Sequence, residues 1–186
     1  MKKINVPLLA SICETASAPG FEQRVRTLVI DQLKDVVDEY SIDNMGNVTT
    51  IVRGKSSDKK VMIAAHMDEI GFIVTHIDDN GFVRFHTLGG FDPKTLTAQR
   101  VIIHGKKDLI GVMGSKPIHV MTAVERTKVP KTTDYFIDLG IPKTEVMKFI
   151  SVGDSITRQR ELIEMGDCVN CKSIDNRVSV FILIET

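Results

Sequence analysis

The feature that most constrains the fold of this chain is a change of pattern at residue 70. From there to about residue 163, short strand-like segments follow one another closely. GFIVTHI and FVRFHTL flank a turn at 78–81, and RVIIHG and LIGVMGS flank a turn at 106–108. Short strands joined by close turns are typical of a small barrel or sandwich. We therefore predict an all-β segment in the middle of the chain.

The segments before and after this stretch have a different pattern. Apolar residues recur at helical spacing over 5–16 and again over 21–37. Two strand-like stretches then flank Asn44-Met45-Gly46, which predicts a hairpin turn. Helical spacing returns after Asp175. These flanking segments predict a mixed α/β unit.

The order of the two patterns predicts an insertion. We expect an α/β fold in which a small barrel-like β domain interrupts an incomplete α/β domain. The last ten residues, RVSVFILIET, begin an apolar helix without a terminating Gly or Pro or a basic last turn. We expect such apolar surface to be covered by further chain, so this is the front portion of a longer protein or the rest was lost. The expected domains are 1–69 with 164–186, and 70–163.

The composition narrows the class of protein. The 24 basic and 24 acidic residues cancel, which gives no electrostatic case for nucleic acid or an anionic membrane surface. Three cysteines do not make a disulfide framework in a chain of 186 residues, and they favour a reducing, cytoplasmic location. Cys168 and Cys171 form a single C-x-x-C motif. A zinc ribbon needs a second pair, and a redox pair normally begins a helix, so we predict ordinary strand cysteines.

His66 and Asp68 are the first candidate site residues. They end an apolar run, VMIAAHMDE, which predicts a buried strand. Side chains two apart on a strand share a face, so the imidazole and the carboxylate would lie side by side. A neutral imidazole is the commonest metal-binding side chain, and a neighbouring carboxylate can fix its orientation. The alternative is a hydrogen-bonded His at the end of a strand.

Asp175 is the second candidate. It follows a predicted strand and precedes a predicted helix, where carboxylates of α/β sites often lie. Two metal ions about 3.5–4 Å apart can share one carboxylate. His66 on one ion and Asp175 between both would make half of such a site. The alternative is that Asp175 caps the helix.

Several motifs, in order along nearly the whole chain, resemble those of one enzyme family. That family is the di-metal aminopeptidases that include glutamyl and deblocking aminopeptidases and assemble into tetrahedral shells of twelve subunits. Its members are longer than this chain, so the resemblance covers their front half only. The motifs are SAPGFE at 17–22, DNMGNV at 43–48, AAHMDEIGF at 64–72, LGGFDPKTL at 88–96, VGD at 152–154 and SIDNR at 173–177.

The resemblance implies a role for each candidate. His66 would be a terminal ligand of one metal ion, and Asp175 would bridge two ions, zinc or cobalt, with a cis peptide bond after it. Asp68 would be the catalytic residue that holds the His66 ring and tunes the site. A water between the ions would be the nucleophile. The other ligands and the Glu-Glu pair that supplies the general base have no counterpart here, so the stretch alone is expected to lack activity and need not hold the ions.

The resemblance also implies partners. The middle β domain would pair subunits, so that dimers assemble into a dodecamer, and the substrates would be peptides shortened from their N-termini. The alternation of side chains along the predicted strands already accounts for the positions of the histidines at 76, 86 and 104. We do not expect these residues or His119 to be catalytic ligands. No nucleic acid or membrane partner is expected.

Two other functions are alternatives for this sequence. The stretch could act as an assembly module without catalysis, driven by the β domain. A label of polysaccharide hydrolase attaches to some relatives of the family. A glycosidase needs two carboxylates that flank a sugar cleft, and no such pair is evident in the sequence.

Overall fold

A computed structural model describes residues 4–56 and 58–186. The chain divides into two compact units, here called the α/β unit (Met1–Glu69 and Glu161–Thr186) and the barrel unit (Ile70–Arg160). Single turns of 3-10 helix lie at Pro93–Thr95, Ile118–Val120 and Thr132–Asp134. The other elements, in chain order, are α1 (Val6–Glu14), α2 (Gln23–Leu33), β1 (Glu39–Ile42), β2 (Val48–Ile51), β3 (Gly71–Ile77), β4 (Val83–Leu88), β5 (Arg100–His104), β6 (Asp108–Gly114), α3 (Ala123–Arg126), β7 (Phe136–Asp138), α4 (Lys143–Phe149), β8 (Ser155–Arg158), β9 (Ile163–Met165), β10 (Cys168–Asn170) and α5 (Ile174–Glu185).

The barrel unit is a closed barrel with strand order β3-β4-β7-β6-β5-β8, and every neighbouring pair is antiparallel. Closure of the barrel pairs the backbone N–H and C=O groups that an open sheet would leave unpaired at its edges. Both predicted hairpins are confirmed, since Ile77 lies opposite Val83 and His104 lies opposite Asp108. The prediction of an α/β protein with a barrel-like β segment is therefore correct.

The interior of the barrel is apolar. Alternate residues of its strands point inward, and Phe72 stacks on Phe91 with ring centroids 4.3 Å apart. Phe72 also meets the edge of Phe85 at 5.0 Å, which is a favourable arrangement for two aromatic rings. Helix α4 begins after Pro142, and its Val146 is buried in this core. The core is thus formed by strand alternation together with one short helix.

The α/β unit is held together by its helices. The Asn5 side chain accepts a hydrogen bond from the Leu8 backbone N–H at the start of α1. The apolar faces of α1, α2 and α5 share one core, and Ile12 and Val25 lie at its buried centre. Helix α2 ends at Leu33, earlier than the spacing to residue 37 predicts, and Val36 is exposed. The last apolar residues of that pattern therefore lie in a turn.

The hairpin of the α/β unit is present as predicted. Strands β1 and β2 pair antiparallel from Glu39 opposite Ile51 to Ile42 opposite Val48. Gly46 provides the left-handed turn residue with φ +86°. Of the helices in the described ranges, none combines the length and apolar character that a bilayer span requires.

The prediction of a buried strand at VMIAAHMDE is wrong. Residues 58–70 form no strand, and the side chains of Val61 and Met62 are both 89% exposed. A strand needs a hydrogen-bonded neighbour, and no described strand pairs with this segment. Only near the end of the segment do alternate side chains, those of Ala65 and Met67, pack against the helical core.

Candidate metal centre

The geometry around His66 follows from the segment that carries it. Ala65 and Met67 face the core of the α/β unit, so His66 and Asp68 face the other way. The Glu69 backbone N–H donates to the Ser17 carbonyl at 2.9 Å and fixes the end of the segment. The His66 side chain is about half exposed. It is therefore held in place while its ring remains accessible.

Asp68 contacts the His66 ring, as the sequence predicts. The Nδ1 of His66 lies 2.9 Å from Oδ1 of Asp68. An ionised carboxylate only accepts hydrogen bonds, so this contact places a proton on Nδ1 and leaves the lone pair on Nε2. The imidazole is thereby oriented with its free lone pair away from Asp68.

Asp175 lies at the start of α5, where the backbone is not helical. Asp175 has φ −83° and ψ 112°, and the peptide bond between Asp175 and Asn176 is cis, as the resemblance implies. The Asp175 side chain is 96% exposed. Its carboxylate turns toward His66, which favours a ligand over a helix cap.

The two segments bring a nitrogen and an oxygen together. His66 Nε2 lies 3.2 Å from Asp175 Oδ1. With its proton on Nδ1, the neutral ring presents a lone pair to a carboxylate that also only accepts, so a second ring proton or a cation has to lie between them. Two ligands of one tetrahedral zinc, bound at the usual 2.0–2.2 Å, lie about 3.3 Å apart. The donor types and their separation both fit a divalent cation.

The chain provides part of such a site. Across 4–56 and 58–186 there is no group of three or more His, Cys, Asp or Glu side chains that could hold a metal ion. His66 and Asp175 are thus two donors that would need further ligands. In the barrel unit, His104 contacts Asp108 at 3.1 Å and Thr157 at 2.9 Å, so its ring nitrogens are engaged locally.

A buried ion pair lies beside the site, and the sequence analysis missed it. Lys172 Nζ donates to Glu69 Oε1 at 2.7 Å, and the two side chains are only 2% and 1% exposed. Burial lowers the pKa of Lys172, and the charge of Glu69 opposes that change. Glu69 lies within the AAHMDEIGF motif, directly after Asp68, and Lys172 directly follows the C-x-x-C motif. The sequence shows a Lys and a Glu near the candidate site residues. It does not show that they form an ion pair, because their pairing depends on tertiary structure.

Arg177 is the second buried cation that the sequence analysis did not assign. Its guanidinium donates to the carbonyls of Ile12 and Thr15 and to the hydroxyl of Ser17. Burial lowers the pKa of Arg177, whereas the negative charges of Glu69 and Asp68 raise it. An Arg remains charged under these conditions, so the site lies beside a fixed positive group.

The cysteines lie close to the same helices. The prediction of strand cysteines is correct for Cys168, an exposed residue of β10, whereas Cys171 follows the end of that strand. Burial raises the pKa of the Cys13 thiol to about 12, and Cys171 contributes to the increase. Each of the three cysteines is a thiol outside any disulfide bond.

Known proteins resemble the chain over nearly its whole length. The lysyl aminopeptidase of Pyrococcus furiosus is 45% identical over 115 residues, which is 61% of this chain and 33% of that protein. The solved aminopeptidase APDkam598 of Desulfurococcus kamchatkensis is 38% identical with a TM-score of 0.90, covering 97% of this chain and 50% of that one. The TET1 peptidase of Pyrococcus horikoshii, described as assembling into a tetrahedron or a large octahedral shell, is 29% identical with a TM-score of 0.86. That match covers 97% of this chain and 54% of TET1.

The matches cover only part of each curated relative. The chain spans about half the length of the curated relatives that it matches along most of its own length. The sequence profile of the M42 glutamyl aminopeptidase family matches residues 46–186, which include His66, Asp68 and Asp175. This match extends over most of the chain and contains both segments of the candidate centre. The chain belongs to the M42 glutamyl aminopeptidase family.

Proposed function

We propose that this chain supplies part of the active site of a metal-dependent aminopeptidase, which removes N-terminal residues from peptides. The single observation that carries the proposal is the approach of His66 Nε2 to Asp175 Oδ1 at 3.2 Å. Membership of the M42 family supports a peptidase, and the relatives' names include lysyl and glutamyl aminopeptidases. Those names belong to the relatives, and the residue cleaved by this protein is left open.

Each candidate residue has a distinct task in this proposal. His66 and Asp175 would hold a zinc or cobalt ion, and Asp175 would also contact a second ion. Asp68 would keep the proton on His66 Nδ1, so that Nε2 is free to bind. When bound, such ions supply Lewis acidity, which lowers the pKa of water and polarises a peptide carbonyl. The exposed carboxylate of Asp175 is accessible to a substrate and to further ligands.

The chain of 186 residues would be inactive by itself. It provides two donors for a site that needs more, and its described residues contain no larger ligand cluster. In the longer protein, we expect the remaining ligands and a Glu-Glu pair for proton transfer to come from further chain. A metal-dependent hydrolysis of aminoacyl-nitroanilides by residues 1–186 alone would contradict the ligand assignment.

The proposed function is tested in the complete protein by His66→Ala. Loss of the Nε2 donor should abolish metal-dependent turnover of aminoacyl-nitroanilides, while the unfolding temperature of the metal-free protein changes little because His66 is half exposed. His86→Ala is the matched control, since His86 is an exposed histidine of β4 in the other unit. Activity retained by His66→Ala at the level of His86→Ala would refute the proposal.

We also propose that the barrel unit carries subunit assembly, in the reducing environment that three cysteines without a disulfide favour. Its exposed apolar side chains include Ile110, Ile118 and Val124. The TET1 relative forms closed shells, which supports a homo-oligomer of this protein. Assembly without catalysis remains the second candidate function. Oligomers that stay inactive after metal loading of the complete protein would favour it.

A further inference from the structure

We infer that a buried network of Ser17, Glu69, Lys172 and Arg177 positions His66 and Asp175 at the spacing that a shared cation needs. The inference rests on the proposed function and extends it to residues that touch neither the cation nor the substrate. The four residues are positioning residues. They join the two segments that carry the candidate ligands to the turn between α1 and α2.

Ser17 lies at the centre of the contacts to the His66 segment. Its hydroxyl donates to the Met67 carbonyl at 2.8 Å, one residue after His66. Its carbonyl accepts from the Glu69 backbone N–H at 2.9 Å, and its own N–H donates to Glu69 Oε1 at 3.3 Å. One buried serine thus fixes the backbone and a side chain on both sides of Asp68.

Lys172 connects this segment to the one that carries Asp175. Its ammonium binds the same Glu69 oxygen that accepts from Ser17. Ser173 adds a second connection, because its hydroxyl donates to the Cys13 carbonyl at 2.6 Å at the end of α1. The backbone two and three residues before Asp175 is therefore anchored to α1 and to Glu69.

Arg177 holds the other side of Asp175. Its guanidinium reaches the carbonyls of Ile12 and Thr15 and the Ser17 hydroxyl. The Ser17 oxygen thereby accepts from Arg177 while it donates to Met67, and a single atom links the two ligand segments. The buried cations Lys172 and Arg177 thus lie near the negative charges of the buried Glu69 and the partly exposed Asp68.

The buried network therefore fixes the distance between the two exposed candidate ligands, His66 and Asp175. Asp175 itself is almost fully exposed and cannot be held by packing. Its position has to come from the anchors on either side of it, Lys172 and Ser173 before it and Arg177 after it. Hydrogen-bonded outer residues of metal sites typically contribute 10–100-fold to metal affinity.

The test uses Ser17→Ala in the complete protein, with Co²⁺ as the probe. Affinity is measured by calorimetric titration, and the visible absorption of bound Co²⁺ reports the ligand geometry. We expect Ser17→Ala to weaken Co²⁺ binding by about 10- to 100-fold and to alter the absorption band. Ser11→Ala is the matched control, because Ser11 donates to the Leu8 carbonyl within α1 and lies outside the network. It should bind Co²⁺ within about twofold of the parent.

A purely structural role would give a different result. Ser17→Ala would then lower the unfolding temperature of the metal-free protein but leave the affinity and spectrum of the folded protein equal to those of Ser11→Ala. That result overturns the inference. If Ser17→Ala does not fold, the double variant Glu69→Gln with Lys172→Met replaces it, since exchanging a buried ion pair for neutral groups of similar volume is often tolerated. Parental Co²⁺ affinity in the folded double variant would equally overturn the inference.

His66→Ala separates the two proposals. Loss of Co²⁺ binding in His66→Ala, together with parental binding in the network variants, refutes the positioning role alone. Parental binding in His66→Ala refutes the proposed metal site itself, and with it the network's role. Weakened binding in both sets of variants supports both proposals.

Discussion

At the scale of single residues, the site depends on which nitrogen of His66 carries the proton. Asp68 faces Nδ1 at 2.9 Å and Asp175 faces Nε2 at 3.2 Å. Two carboxylates therefore contact one ring from opposite sides. One of them can accept the ring proton, and the other contact is favourable only with a second ring proton or a cation between the atoms. In the proposed site, Asp68 orients the ring and Asp175 binds the cation.

Asp68→Ala should separate orientation from binding. Without the carboxylate, the His66 ring can rotate and change tautomer, so we expect metal affinity to fall about 10- to 100-fold. Isothermal titration of the complete protein with Zn²⁺ measures the change. Asp31→Ala is the control, because Asp31 is exposed on α2 and forms its ion pair with Lys34 at 2.9 Å. Equal Zn²⁺ affinities in the two variants would contradict the role of Asp68.

Cys13 gives a prediction for alkaline pH. Burial raises the pKa of its thiol from 9.0 to about 12, so the folded state disfavours the thiolate. The stabilisation is complete below pH 9 and is lost progressively as the pH rises from about 9 toward 12. Between pH 9 and 11, the free energy of unfolding of the parent should fall by about 1 kcal/mol per pH unit more than that of Cys13→Ala. Urea titrations measure this difference, and parallel curves for the two proteins would contradict the assignment.

At the scale of elements, local signals predicted most of the fold. The hairpins β3–β4 and β5–β6 follow from alternation and turn residues that lie within a few positions of one another. The closed barrel requires the more distant pairing of β3 with β8, which short-range patterns do not specify. The apolar run at 61–63 was misleading, because a strand forms only beside a partner and none of the described strands pairs with it.

Gly111 of β6 tests how closely the barrel strands pack. A Cβ there would lie 2.5 Å from Ile137 Cγ2 and 3.0 Å from the Asp138 carbonyl oxygen. Gly111→Ala should therefore destabilise the barrel unit by about 1–3 kcal/mol, measured by calorimetric unfolding. Gly90→Ala is the control, since nothing lies within 4 Å of its Cβ position. Equal stability of the two variants would contradict the close packing of β6 on β7.

At the scale of the whole molecule, the candidate site combines residues that are far apart in sequence. His66 and Asp175 were identified from short motifs, and the structure brings them together across 109 positions. The buried network around Ser17 and Arg177 was not predicted, because a serine in one motif and an arginine in another give no sign that they are partners. Sequence patterns thus identify chemically conspicuous groups more readily than the groups that hold them in place.

Assembly is predicted to depend on the exposed apolar residues of the barrel unit. The double variant Ile118→Glu with Val124→Glu adds two charges at exposed positions, so the fold should be retained while a subunit interface is disrupted. Light scattering during size-exclusion chromatography of the complete protein should show a smaller particle. Val36→Glu, at an exposed position of the α/β unit, is the control. An unchanged mass for the double variant would place assembly elsewhere.

The central claim is that His66 and Asp175 bind the same cation. The most direct measurement is a crystal structure of the complete protein grown with zinc, with anomalous diffraction recorded at the zinc edge. The account predicts an anomalous peak about 2.0–2.2 Å from both His66 Nε2 and Asp175 Oδ1. A zinc ion bound away from this pair, with the two side chains still in direct contact, would contradict it.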